Sequence, residues 1–127
     1  MKATAREVAE QLLRGAPDLQ TSSSNPGGCL TVNGAIASGD EAEPVRQLLN
    51  AHRTAGVALL RHRFERSKAQ HDLPKDSDPA ALARFVASVV YGMAVLASGG
   101  ASRKELEQVI RAAMKARPAT AQDSADD

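Results

Sequence analysis

Few side chains in this sequence carry reactive or ligating chemistry, and their spacing limits what they can do together. The one cysteine, Cys29, follows Gly27-Gly28 at the start of an apolar segment. A thiol at a helix N-terminus has a lowered pKa and reacts readily. A cysteine also packs as a small hydrophobe, which is the commoner role. The histidines are His52, His62 and His71. Metal-binding pairs on a helix stand at i, i+3 or i+4. These three are ten and nine residues apart, so they face different directions and no metal site is expected. Two polar residues sit on apolar stripes: Asn33 between Val32 and Ile36, and His52 between Leu49 and Gly56. Each either anchors a ligand or is a satisfied core or rim residue.

Arg61, Arg63, Arg66 and Lys68 form a basic run opposed only by Glu65. A nucleic-acid patch would need them on one face. Arg61 and Lys68 share one side of a helix and Arg63 and Arg66 another, near a C-terminal end where cations complement the macrodipole. A solvated helix end is the favoured reading. The aromatics are Phe64, Phe85 and Tyr91. Phe85 is expected in the core or a pocket. Tyr91 is expected at a subunit interface, with Gly92 and Ala94 allowing close helix approach; core packing is the alternative for all of them. No phosphate loop, carboxylate pair or nucleophile motif appears, so neither an enzyme nor a cofactor is expected.

Composition narrows the frame around these groups. The 127 residues fit one domain. Hydrophobic residues make up 43% and aromatics only 2%, so the core is aliphatic and Ala-rich. A net charge of +1 points to no nucleic-acid or membrane partner. One cysteine excludes an intrachain disulfide. The N-terminal residues Met1 to Glu7 contain no apolar signal core, so a cytoplasmic location is expected. The apolar stretch Phe85–Leu96 is short of the roughly 20 residues a membrane span needs and reads as a buried helix.

The elements that position these residues read as five helices. The first spans about 4–14. Thr4 and Glu7 form a capping box, Ala5, Val8, Ala9 and Leu12 form its stripe, Gly15 is a C-cap, and Pro17 blocks continuation. A Ser-rich loop covers 16–28. The segment 29–38 alternates like a strand at Leu30 and Val32 but also fits a helix face, and a short helix is assigned. A long helix covers about 41–70, with Val45, Leu48, Leu49, His52, Gly56, Leu59 and Leu60 at helical spacing. Asp78-Pro79 starts the next helix, about 79–97. Its apolar residues cover a broad arc, so one side faces the protomer's own core and another needs a partner. Gly99-Gly100 ends it. Ser102 and Glu105 form a second capping box, opening a helix over about 102–117 striped by Leu106, Val109, Ile110 and Ala113. The short connection makes these last two helices antiparallel neighbours. Residues 119–127 read as a disordered acidic tail.

Three segments resemble the C-terminal domain of TetR-family transcriptional regulators. They are Gly28-Cys29-Leu30-Thr31-Val32-Asn33-Gly34-Ala35; Asp72-Leu73-Pro74 with Asp78-Pro79-Ala80-Ala81-Leu82-Ala83 and Tyr91-Gly92-Met93-Ala94-Val95; and Gly100-Ala101-Ser102-Arg103-Lys104-Glu105-Leu106. Their order and spacing fit over about residues 2–117. The resemblance implies an all-α bundle over 1–118 and a homodimer. The last two helices of each subunit would form an intermolecular four-helix bundle, and an effector pocket would lie among the middle helices. Nothing here resembles the family's N-terminal helix-turn-helix head or the helix that joins it to the core. DNA contact is therefore expected only through a domain missing from this chain.

On this reading the chain is the effector-sensing and dimerisation core of a TetR-like repressor. Its partners are a second copy and a largely apolar small-molecule effector. The expected pocket is Val32, Asn33, Ile36, Leu49, His52, Leu59, Phe85 and Val89, with Asn33 and His52 as polar anchors. The expected dimer interface is Val90, Tyr91, Ala94, Val95, Leu106, Val109, Ile110 and Ala113. A rival reading, favoured by Met1 standing directly before the first helix, is a headless module that heterodimerises with full-length regulators.

Overall fold

The computed structural model describes residues 4–20 and 43–116. All regular elements among them are α-helices: α1 Ala5–Gln20, α2 Glu43–Ala69, α3 Pro79–Ser98 and α4 Arg103–Ala116. The short helix expected over 29–38 lies outside the described residues, as does the acidic tail.

Both capping boxes form. The Thr4 N–H donates to Glu7 Oε2 at 2.7 Å and the Glu7 N–H to Thr4 Oγ1 at 3.2 Å. At α4 the Ser102 N–H donates to Glu105 Oε1 and the Glu105 N–H to Ser102 Oγ, both at 3.1 Å. Asp78 caps α3, its Oδ1 accepting from the Ala81 N–H at 3.1 Å, with Pro79 in the first turn. Each device satisfies N–H groups that have no partner within their helix.

The first helix is longer than its sequence suggests. It does not stop at residue 14. It passes Gly15 and continues through Pro17 to Gln20, so the expected loop over 16–28 loses its first five residues to α1. Proline fixes φ near the helical value, and its cost is one lost hydrogen bond plus a clash with the preceding turn. Ala16 and Pro17 are both buried, and that burial offsets part of the cost.

Helix α3 is the hub and packs against α1, α2 and α4. This placement accounts for part of its apolar composition. By length and mean hydropathy it could cross a membrane, yet a third of its apolar window is buried inside this fold. The core gathers Leu13 of α1, Phe64 of α2, Val86 and Met93 of α3, and Leu106 and Ile110 of α4, all with under 2% of their surface exposed. Phe85, Val89 and Val90 are half-buried against it.

Both ends of α3's neighbourhood close through left-handed residues. After α2, His71 adopts φ 62°, its N–H donating to Lys68 O and that of Asp72 to Ser67 O. After α3, Gly100 adopts φ 100°, with its N–H on Ala97 O and that of Ala101 on Leu96 O. These paired bonds are the Schellman pattern. Asp72 then reaches back across the chain, its Oδ2 accepting from the Ala5 N–H at 2.5 Å.

Candidate functional site

Three surfaces carry the candidate functional residues, and α2, α3 and α4 build them. The outward face of α2 bears His52, which is exposed, between Leu48 and Leu59, exposed by 70% and 74%. Leu49 beside them is half-buried. Residues 48, 52, 55 and 59 recur at helical spacing, so one apolar ridge with a histidine runs along the helix. Phe85 and Val89, expected in the same pocket, instead sit on α3 against the core. Phe85 borders a small, nearly closed space with Ala9, Leu13, Leu82 and Met114. Val32, Asn33 and Ile36 lie outside the described residues, as does Cys29. The described part of the expected pocket thus divides between an exposed ridge on α2 and a packed edge on α3.

The second surface is the α3–α4 hairpin. Val95 and Leu96 are exposed by 47% and 50%. Leu96 leads into an open groove of about 400 Å³ continued by Ala101, Gln108, Val109 and Ala112. Among the residues expected at a dimer interface, Val95 is exposed, while Val90, Tyr91 and Val109 are half-buried. Ala94, Leu106, Ile110 and Ala113 are buried inside the protomer. Period alone assigns both stripes of α4 to an apolar face; only the positions of α1 and α3 show which stripe is already covered. Leu96 and Ala112 are the outward residues that sequence reasoning passed over.

The third surface is a groove of about 480 Å³ between α2 and α3. Its polar lining is Asn50, Arg53, Thr54, Arg61 and Arg84, and Tyr91 closes one side. Arg53 donates to Asn50 Oδ1 and places its guanidinium 5.8 Å from the centroid of the Tyr91 ring, within cation–π range. Tyr91 therefore turns toward α2. Arg53 and Arg84 stand 31 positions apart in sequence, and no local pattern announces their meeting.

The basic run disperses. Arg61 lies 3.4 Å from Glu65 on an exposed face. Arg63 donates to the buried Ser67 Oγ at 2.6 Å. Lys68 donates to Ser77 O at 2.8 Å and ties the end of α2 to the approach to α3. His62 is exposed, 3.9 Å from Glu65.

Three exposed carboxylates are held below the usual glutamate range. For Glu7 the cause is chiefly the bond from the Thr4 backbone N–H, and for Glu105 that from Ser102. For Glu43 it is the bond from Arg46. All three act at helix starts, where negative charge also complements the dipole.

Residues 9–117 match the family described as tetracyclin repressor-like, C-terminal domain. The chain belongs to this TetR family. Two solved structures of cysteine mutants of the TetR family transcriptional regulator CifR, each complexed with 26-bp double-strand operator DNA, are similar to it at 38% and 37% identity. Each has a TM-score of 0.85, and the match covers 92% of this chain and 61% of CifR. A putative TetR transcriptional regulator from Rhodococcus sp. RHA1 is 36% identical with a TM-score of 0.76, over 93% of this chain and 63% of that one. No curated protein matches. The chain therefore spans about three fifths of the regulators it resembles. Ligand binding and dimerisation are typical of TetR regulators.

Proposed function

We propose that this chain is the effector-sensing and dimerisation core of a TetR-like transcriptional repressor, a soluble cytoplasmic protein whose DNA contact is made through a helix-turn-helix domain outside these 127 residues. The observation that carries the reading is the apolar edge of the α3–α4 hairpin. Val95 and Leu96 leave about half their surfaces in water beside the open groove at Val109 and Ala112. Contiguous exposed apolar surface marks an interaction site. A two-fold axis brings the same patch of a second copy onto it, and closed pairing of that kind is the commonest oligomer geometry.

The proposed effector pocket draws on Leu49, His52 and Leu59 of α2, Phe85 and Val89 of α3, and Val32, Asn33 and Ile36. Its occupant is a largely apolar small molecule held by Asn33 and His52.

Native mass spectrometry of the chain tests the assembly. The expected mass is that of a dimer, and Leu96→Glu and Val109→Glu convert it to a folded monomer, because each places a charge in the dimer's apolar centre. A wild-type monomer at micromolar concentration overturns the reading. For the pocket, a retained small molecule is expected in the same spectrum. Unchanged effector affinity in both Asn33→Ala and His52→Ala overturns the site.

A further inference from the structure

We infer that the groove between α2 and α3 is a second binding site, for a small organic anion carrying a carboxylate on a flat apolar body. It goes beyond the effector pocket proposed above. That pocket uses Leu49, His52 and Leu59, whereas the groove uses Asn50, Arg53, Thr54 and Arg61 of the same helix. At 3.6 residues per turn the two sets lie largely on different sides of α2.

Charge comes first. Arg53, Arg61 and Arg84 line one space of about 480 Å³, and among the described residues no aspartate or glutamate lines it. Glu65 lies 3.4 Å from Arg61 and offsets that charge, while Asp78 accepts the Ala81 N–H, so Arg53 and Arg84 are the groove's cations for an anion. Guanidinium groups bind carboxylates through paired, charge-assisted hydrogen bonds. Asn50 and Thr54 add an amide and a hydroxyl.

Shape comes second. The floor is Val57, Ala58 and Ala80, and the Tyr91 ring forms a wall. A bare inorganic anion leaves that floor unused, whereas a planar hydrocarbon body covers it. The volume falls within the range of small-molecule sites, about 300–1,000 Å³. Arg53 is already positioned over Tyr91, so its guanidinium is oriented before a ligand arrives.

Benzoate is the probe, followed by calorimetry and amide chemical shifts on the whole chain. Saturable binding is expected, with shifts in α2 and α3 around Arg53 and Arg84. Affinity falls about tenfold or more in Arg84→Gln and in Arg53→Gln, the loss expected for a charge-assisted pair. Arg66→Gln, an exposed change on the same helix, leaves it unchanged. Benzamide, which keeps the ring and loses the charge, binds more weakly by a similar factor. The proposal is overturned if benzoate does not saturate, if Arg66→Gln costs as much as Arg84→Gln, or if sulfate binds as tightly as benzoate. It is also overturned if the acidic tail, residues 119–127, is the groove's occupant, which shows as benzoate binding only after its removal.

Discussion

The carboxylate of Asp72 accepts a 2.5 Å hydrogen bond from the backbone N–H of Ala5, 67 residues away. Asp72 lies just past the end of α2, and Ala5 opens α1. One side chain therefore caps the first helix from the far side of the fold and locks the turn that leads into α3. Ala5 is buried, so that N–H has little water to replace the carboxylate. Asp72→Ala is expected to destabilise the chain by about 1–2 kcal/mol, the range for a lost helix cap. Urea unfolding checks this, and a change near zero would mean the Thr4–Glu7 box holds the helix start by itself.

The turn that aims Asp72 depends on His71 in the left-handed region, at φ 62°. A side chain there costs about 1–2 kcal/mol relative to glycine, and glycine gives back part of that through its looser unfolded chain. His71→Gly is expected to stabilise by about 0.5–1 kcal/mol, read as a raised melting temperature. Gly100, at φ 100°, gives the opposite sign. Gly100→Ala is expected to cost about 1 kcal/mol through strain alone, because nothing lies within 4 Å of the added Cβ.

Pro17 offers a contest between helix and core. Alanine there restores a helical hydrogen bond and relieves a clash, worth up to about 3 kcal/mol. It removes roughly two buried CH₂ groups, about 1.6 kcal/mol, and proline's stiffening of the unfolded chain, about 0.5 kcal/mol. The helix term wins, so Pro17→Ala is expected to stabilise by about 1 kcal/mol in denaturant titration.

The two capping boxes set an acid limit. Glu7 and Glu105 are held below the usual range by their bonds from the Thr4 and Ser102 N–H groups. A lowered folded-state pKa means stability that is present above the unfolded value, about 4.3, and is lost as pH falls through the folded one. The melting temperature is expected to drop in that window. The double variant Glu7→Gln, Glu105→Gln keeps the bonds' geometry without the charge, so its profile there is flatter than that of the wild type.

Much of the scaffold was legible from residue order. The boxes at Thr4–Glu7 and Ser102–Glu105, the Asp78-Pro79 start and the Gly99-Gly100 stop act over three or four residues, a range that sequence displays directly. The apolar arc of α3 announced a helix covered on several sides, and three helices do pack on it. Resemblance supplied the family, which the match over residues 9–117 bears out.

Tertiary structure decided the rest, because it depends on which surfaces meet. Pro17 stays helical since α1 buries it, and propensity has no access to that burial. Ala94, Leu106, Ile110 and Ala113 have the period of an interface stripe but fill the protomer's own core, leaving Leu96 and Val109 at the edge. The stripe records hydrophobicity and is silent on its partner. Arg53, Arg84 and Tyr91 look unrelated in sequence and line one groove only because α2 packs on α3 there. Local hydrogen bonding wrote the ends of the helices into the sequence; the packing of one helix against another selected which of their faces remain to bind anything.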